Sequence, residues 1–334
     1  MRIVAKAPCR VDLAGGTLDI WPLYLYHPNA VTVNFAINRY TSCDIEAPAK
    51  GITLKSTDQK AQESFASMDE LDGAGKPRLP LLARVLQHFR PSGGLRMQTN
   101  SESPAGAGIA GSSSLIIAIS SALNKLTHAG HDLEKIREIA QNVEAQIIRV
   151  PTGAQDYYPA LYGGVSAVEL GCAGIRRVAI RVDLDDLNER IVLAYTGEPR
   201  NSGINNWEVT KAYIDGDRKV QRNFEQISAI ANGMRDALAK SAWDEAGRLL
   251  REEWSNRKKN APGITTPLID TLVRVATRSG AKGAKVCGAG GGGCVFFLVE
   301  RGAKDRVSSA IQQAGAEVLP VKVSARGVRV ETSG

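Results

Sequence analysis

Apolar and polar positions alternate in part along residues 2–14 and 31–46, where β-branched residues are frequent, and Gly-Leu-Arg-Met-Gln-Thr at 94–99 repeats the pattern. Each reads as a strand. Between them the period changes. Leu79, Leu82, Val85, Leu86 and Phe89 recur at helical intervals, so residues 78–89 are expected to cross this sheet as a helix. A second helical face runs through Leu115, Ile119, Ala122 and Leu126. A third runs through Leu133, Ile136, Ala140, Val143 and Ile147, with Asp132 as its N-cap and Pro151 closing it. That stripe puts Glu144 on the border of the buried face. Further on, strands at 163–170, 176–182 and 190–196 precede long amphipathic segments between about 204 and 278. Apolar strands at 284–288 and 294–300, a helix near 303–314 and a strand at 317–323 complete the pattern. Strands mixed with helices, without regular βαβ alternation, predict an α+β fold rather than a doubly wound sheet.

Composition narrows the picture. The 334 residues, 43% hydrophobic and 23% charged, supply enough chain for one large domain or two, and two are expected. The net charge of +7 comes from dispersed Lys and Arg with no aromatic-studded basic block, so nucleic acid is not an expected partner. The charge favours a phosphorylated ligand only weakly. Cys9, Cys43, Cys172, Cys287 and Cys294 are odd in number, far apart and without C-x-x-C spacing, which implies reduced thiols rather than disulfides or a zinc site. The first residues carry no signal-peptide pattern, and no apolar run approaches the roughly 20 residues a bilayer span needs. A soluble cytoplasmic protein is expected, with no membrane partner.

Two glycine-rich stretches carry candidate chemistry. In Ser-Pro-Ala-Gly-Ala-Gly-Ile-Ala-Gly-Ser-Ser-Ser, residues 103–114, small side chains precede an apolar helix, so a ligand can approach bare main-chain N–H groups at a helix start. An anion, phosphate first, suits such a loop. Gly106 and Gly111 have the outer spacing of a P-loop, but Ser112 stands where that motif needs lysine, which disfavours a P-loop NTPase. The serines are able to cap the helix and to offer a hydroxyl to a metal ion. A tight turn with a serine cap accounts for the loop equally well. Gly288, Gly290 and Gly293 match G-x-G-x-x-G, yet the following Cys-Val-Phe-Phe-Leu-Val is strand-like where a dinucleotide site requires a helix. A loop between two strands, a tight hairpin included, is the better description.

Three stretches in one order, 6–19, 104–114 and 285–294, together resemble the three signature motifs of the GHMP kinases, the galactokinase, homoserine, mevalonate and phosphomevalonate kinase superfamily. The first, Lys-Ala-Pro-Cys-Arg-Val-Asp-Leu-Ala-Gly-Gly-Thr-Leu-Asp, is most similar to heptose-phosphate and fucose-type sugar kinases; Gly16 and Thr17 stand where galactokinase has Glu-His, and Thr17-Leu18 where heptose kinases have Gly-Thr. In the second motif Ala110 replaces a glycine and Gly111 a serine or threonine. The resemblance implies a ribosomal-protein-S5-like N-terminal domain over 1–190, a ferredoxin-like C-terminal domain over 191–334, and ATP with magnesium as cofactors. It places the nucleotide on Pro104, Gly106, Ala107, Gly108, Ile109, Ala110, Gly111, Ser112 and Ser113, and the ion on Ser112 and Glu144. It makes Asp156 the candidate base and Arg10 the group offsetting charge between nucleophile and γ-phosphate. Asp19, Gly16, Thr17, Gln155, Arg200, Ser202, Gly290 and Gly291 then face a sugar acceptor, with a heptose phosphate phosphorylated at its anomeric hydroxyl the leading type. A small-alcohol kinase of the mevalonate or homoserine type, a silent ATP and sugar sensor and a nicotinamide enzyme are the competing readings. The oligomeric state stays open, a homodimer included.

Overall fold

A computed structural model describes residues 1–199, 206–259, 263–288 and 290–334. The chain runs β1 (Arg2–Ala14), β2 (Ala30–Ala49), β3 (Ile52–Ser56), β4 (Ala61–Phe65), α1 (Met68–Gly73), α2 (Pro80–Phe89), β5 (Gly94–Ser101), α3 (Gly111–Thr127), α4 (Leu133–Ile148) and α5 (Tyr157–Tyr162). It continues through β6 (Val165–Gly171), β7 (Gly174–Ala179), α6 (Leu184–Asn188), β8 (Ile191–Tyr195), α7 (Asn206–Ile214), α8 (Arg218–Ala239) and α9 (Trp243–Arg257). The last elements are α10 (Pro267–Arg278), β9 (Ala281–Val286), β10 (Cys294–Val299), α11 (Lys304–Gln313), β11 (Glu317–Leu319) and β12 (Arg329–Ser333). Only 317–319 of the expected 317–323 strand forms, beyond which Val323 makes an isolated bridge to Ile37.

The larger sheet has the order β12-β1-β2-β5-β3-β4, with β6 on β2 and β7 on β6; β3 runs parallel to β5 and the other pairs are antiparallel. The smaller sheet has the antiparallel order β11-β8-β10-β9. Numbered from β8, that is the 4-1-3-2 order of a ferredoxin-like βαββαβ unit. The glycine-rich stretch at 288–293 is the hairpin connection between β9 and β10, and no helix follows it.

The helices form where their apolar stripes predict. Leu82, Val85, Leu86 and Phe89 of α2 and Ile136, Ala140 and Val143 of α4 are buried in one core with α3 and one face of the larger sheet. Asp132 caps α4, accepting from the Lys135 N–H at 2.8 Å. α4 ends at Ile148 with Arg149 in the left-handed conformation, so the helix stops before Pro151 rather than at it. A second core joins β1, β2, α8 and α9 to β8 and β10 of the smaller sheet. β1 serves both. Ile3, Ala5 and Ala7 enter the helix-packed core and Cys9, Val11 and Leu13 the core between the sheets, with the register shift against β2 between Pro8 and Cys9. By alternation Arg10 and Asp12 then project from the opposite face of the strand. Both line the main cleft.

Candidate active site

A cleft of about 580 Å³ lies where β1, the start of α3, α4, the loop before α5 and the end of α9 meet. Of the residues singled out in the sequence it gathers Arg10, Gly16, Thr17, Asp19, Pro104, Gly106, Ala107, Gly108, Ala110, Gly111, Ser112, Ser113, Glu144, Gln155 and Asp156. Ile109 is instead wholly buried in the core between the sheets. Gly290 and Gly291 do not line the cleft; they pack on Ile264, which does, with the Gly291 N–H donating to the Ile264 carbonyl at 2.9 Å. The glycine of that hairpin reaching the cleft is Gly288. Arg200 and Ser202 lie outside the described residues.

The phosphate-loop geometry corrects one expectation. The serines do not cap α3: Ala110 occupies the N-cap position with φ of 59°, and no side chain caps the helix. The helix already begins at Gly111, so the serines sit inside its first turn and their hydroxyls turn away from the end. Ser114 Oγ donates to the Ala7 carbonyl at 2.9 Å, and Ser113 Oγ donates to Glu144 Oε2 at 2.9 Å. The first amides of α3 are left without a side-chain cap beside the cleft, at the positive end of a 17-residue helix.

Glu144 is buried rather than on the rim. Its Oε2 also accepts from the Tyr157 hydroxyl at 2.6 Å. Burial pushes its carboxyl above the ordinary range, against hydrogen bonds from Tyr157, Ser112 and Ser113. A buried carboxylate beside serine hydroxyls is a hard oxygen donor set of the kind magnesium accepts. Among the described residues no three His, Cys, Asp or Glu form a closed cage. That arrangement fits an ion held by one carboxylate and by substrate phosphates.

Arg10 and Asp156 are directly paired. Arg10 Nε donates to Asp156 Oδ1 at 2.9 Å, Nη2 lies 2.7 Å from the same oxygen, and Nη1 donates to the Gly108 carbonyl at 2.7 Å. Burial alone would weaken the guanidinium's hold on its proton, but Asp156 and Asp12 outweigh it and raise Arg10 above its ordinary value. Asp19 is buried and accepts from the Gln155 N–H at 2.8 Å. Its carboxyl is pushed up to about 6 by burial, with the Asp156 charge adding to the effect. Gln155 is buried, and its Oε1 has no partner among the described residues.

Sequence reasoning missed Arg257. It is buried at the end of α9, lines the cleft, donates from Nη2 to the Gly16 carbonyl at 3.2 Å, and pairs through Nε with Glu253 Oε1 at 2.9 Å. The available signal was the Glu253 and Arg257 spacing of one helical turn. The hairpin and phosphate loops touch backbone to backbone. The Cys294 N–H donates to the Ala107 carbonyl at 2.8 Å, and a Cβ on Gly293, where φ is +77°, would lie 2.7 Å from that oxygen.

Family models match twice: the N-terminal domain of the GHMP kinases over residues 80–164, and the C-terminal domain of the same kinases over 234–317. The chain is 26% identical over 337 residues to D-glycero-alpha-D-manno-heptose 7-phosphate kinase of Campylobacter jejuni, covering 98% of both. It is 24% identical to a mevalonate kinase of Thermococcus sibiricus, covering 99% of both. A crystal structure of a D-glycero-D-manno-heptose 1-phosphate kinase from Bacteroides thetaiotaomicron superposes with a TM-score of 0.78 at 25% identity, covering 99% of each chain.

Proposed function

Because the chain belongs to the GHMP kinases, we propose that it transfers the γ-phosphoryl group of ATP to a hydroxyl of a sugar phosphate, with the anomeric hydroxyl of a heptose 7-phosphate as the leading acceptor. One observation carries the reading: the paired Arg10 and Asp156 open onto the same cleft as the uncapped amides of α3 and the buried Glu144. In-line phosphoryl transfer asks for positioning and charge compensation rather than covalent help. Backbone amides of 106–112 and the positive helix end hold the donor phosphates. Asp156 accepts or orients the proton of the attacking hydroxyl, and Arg10 offsets charge between nucleophile and phosphoryl group. Ser112 and Glu144 would hold magnesium, which when bound neutralises phosphate charge.

Acceptor chemistry follows from what Asp19 and Gln155 lack. Asp19 is a buried acceptor, and Gln155 Oε1 is a buried acceptor without a donor, so the ligand must bring hydroxyl protons. A polyol does so. A hydroxy acid such as mevalonate brings a carboxylate instead, and the described arginines lining the cleft, Arg10 and Arg257, are both already paired with carboxylates. The non-reacting phosphate of the acceptor would meet Arg257 at the Gly16 side. The same reading divides the chain near residue 190, with β12 returning to the first sheet, and places the protein in the cytosol. Among the described residues no helix is long and apolar enough to cross a membrane.

The test is ADP release with ATP, magnesium and a panel of sugars, sugar phosphates and mevalonate. A heptose phosphate should raise release above the blank; a panel without any active acceptor overturns the kinase reading, and activity on mevalonate alone overturns the sugar reading. Asp156→Asn should lower turnover by about 10²–10⁴-fold while nucleotide binding persists.

A further inference from the structure

Behind the Arg10 and Asp156 pair lies a run of buried charges that the chemistry above does not use. Lys285, in β9 and wholly buried, places Nζ on Asp12 Oδ2 and also donates to the Asp12 carbonyl at 3.2 Å. The same Nζ lies 3.7 Å from Glu253 Oε1, the oxygen that Arg257 engages. The other oxygen of Asp12 faces the catalytic side: Oδ1 lies 3.6 Å from Arg10 Nη1 and accepts from the Gly288 N–H at 3.3 Å. Signs alternate along the row from Asp156 through Arg10, Asp12, Lys285 and Glu253 to Arg257. It crosses from the larger sheet to the smaller one.

Buried ion pairs add little net stability compared with an apolar packing of the same volume, whereas removing one partner is strongly destabilising. The placement therefore asks for a further reason. Asp12 and Asp156 are rival partners for one guanidinium. With Lys285 holding Oδ2, Asp12 stays at 3.6 Å from Arg10, while Asp156 has the short contacts of 2.7 and 2.9 Å.

We propose that Lys285, acting through Asp12, is a positioning residue that keeps the Arg10 guanidinium on Asp156 and the Gly288 amide at the cleft. Without the ammonium, Asp12 draws Arg10 toward itself and away from the catalytic aspartate. The kinetic consequence rests on the phosphoryl-transfer reading; the geometric one does not.

The test compares Lys285→Met with the double variant Asp12→Asn/Lys285→Met, which removes one charge of each sign and so leaves no unpaired charge behind. Stability should fall in the single variant and return in large part in the double. In both, kcat should drop about 100-fold, the scale of an ångström-sized misplacement, with KM for ATP within about 2-fold of wild type. The Arg10 Nε–H signal, assigned by its loss in Arg10→Lys, should lose about 10-fold or more of its protection from exchange in the double variant. A double variant that recovers kcat together with stability, or keeps the Arg10 signal protected, overturns the proposal. If wild-type protein turns over no acceptor, the kinase reading fails instead, and the Arg10 signal alone decides this inference.

Discussion

Asp19 is held where its own charge is unfavourable, and that has two pH consequences of opposite sense. Burial, reinforced by Asp156, pushes its carboxyl from 3.8 up to about 6, with the Gln155 amide opposing. If the ionised form accepts acceptor hydroxyls, kcat/KM for the acceptor should rise with pH through about 6, and Asp19→Asn should flatten that limb of the profile. For stability the sign is reversed. A carboxyl with a raised folded pKa favours folding most below its unfolded value, so the Asp19 contribution is full below about 4 and is lost as pH rises through about 6. Urea midpoints of wild type and Asp19→Asn across that range measure it. Gly153 guards the same carboxylate: a Cβ there would overlap Asp19, so Gly153→Ala should raise the acceptor KM by about 10-fold, the equivalent of one lost hydrogen bond. Arg10, Asp19, Glu144 and Asp156 were legible because each sits inside or at a fixed distance from a motif. Lys285 and Arg257 were not, because their partners Asp12 and Gly16 lie more than 200 positions away in sequence. A lysine inside an apolar strand was the only local hint.

The elements that sequence reasoning found are those whose buried faces are long and regular, such as α2, α4 and β10. β3 and β4 escaped it: each is five residues, and β4 has no fully buried position to set a period. α5, with six residues, is too short for a helical stripe to show. At α3 the element is legible but its first turn is not, since three serines in a row look like caps and are already helical. The residue that does occupy the cap position, Ala110, holds a conformation unfavourable for any side chain. Ala110→Gly should therefore stabilise the fold by about 1 kcal/mol, read as a shift of the urea midpoint, with nucleotide affinity retained.

Across the whole molecule, the thiols report how much of the chain the two cores enclose. Cys9, Cys43, Cys287 and Cys294 are buried and Cys172 is exposed; burial pushes Cys9 and Cys287 up to about 12 and raises Cys43 and Cys294 as well. A thiol reagent should modify one cysteine quickly in the native protein and all five after unfolding, and rapid native modification of more than one would contradict the packing. The α+β pattern was readable from the mixture of periods, but the joint between the sheets was not, because it is made of main chain. A Cβ on Gly108 would collide with the Cys287 carbonyl, and one on Gly293 would crowd Ala107 from the other side. The seam therefore behaves as a single inherited part. A hybrid that borrows acceptor preference from a related kinase should take residues 104–112 and 285–294 from the same parent, for two halves of different ancestry would meet there without a matching fit.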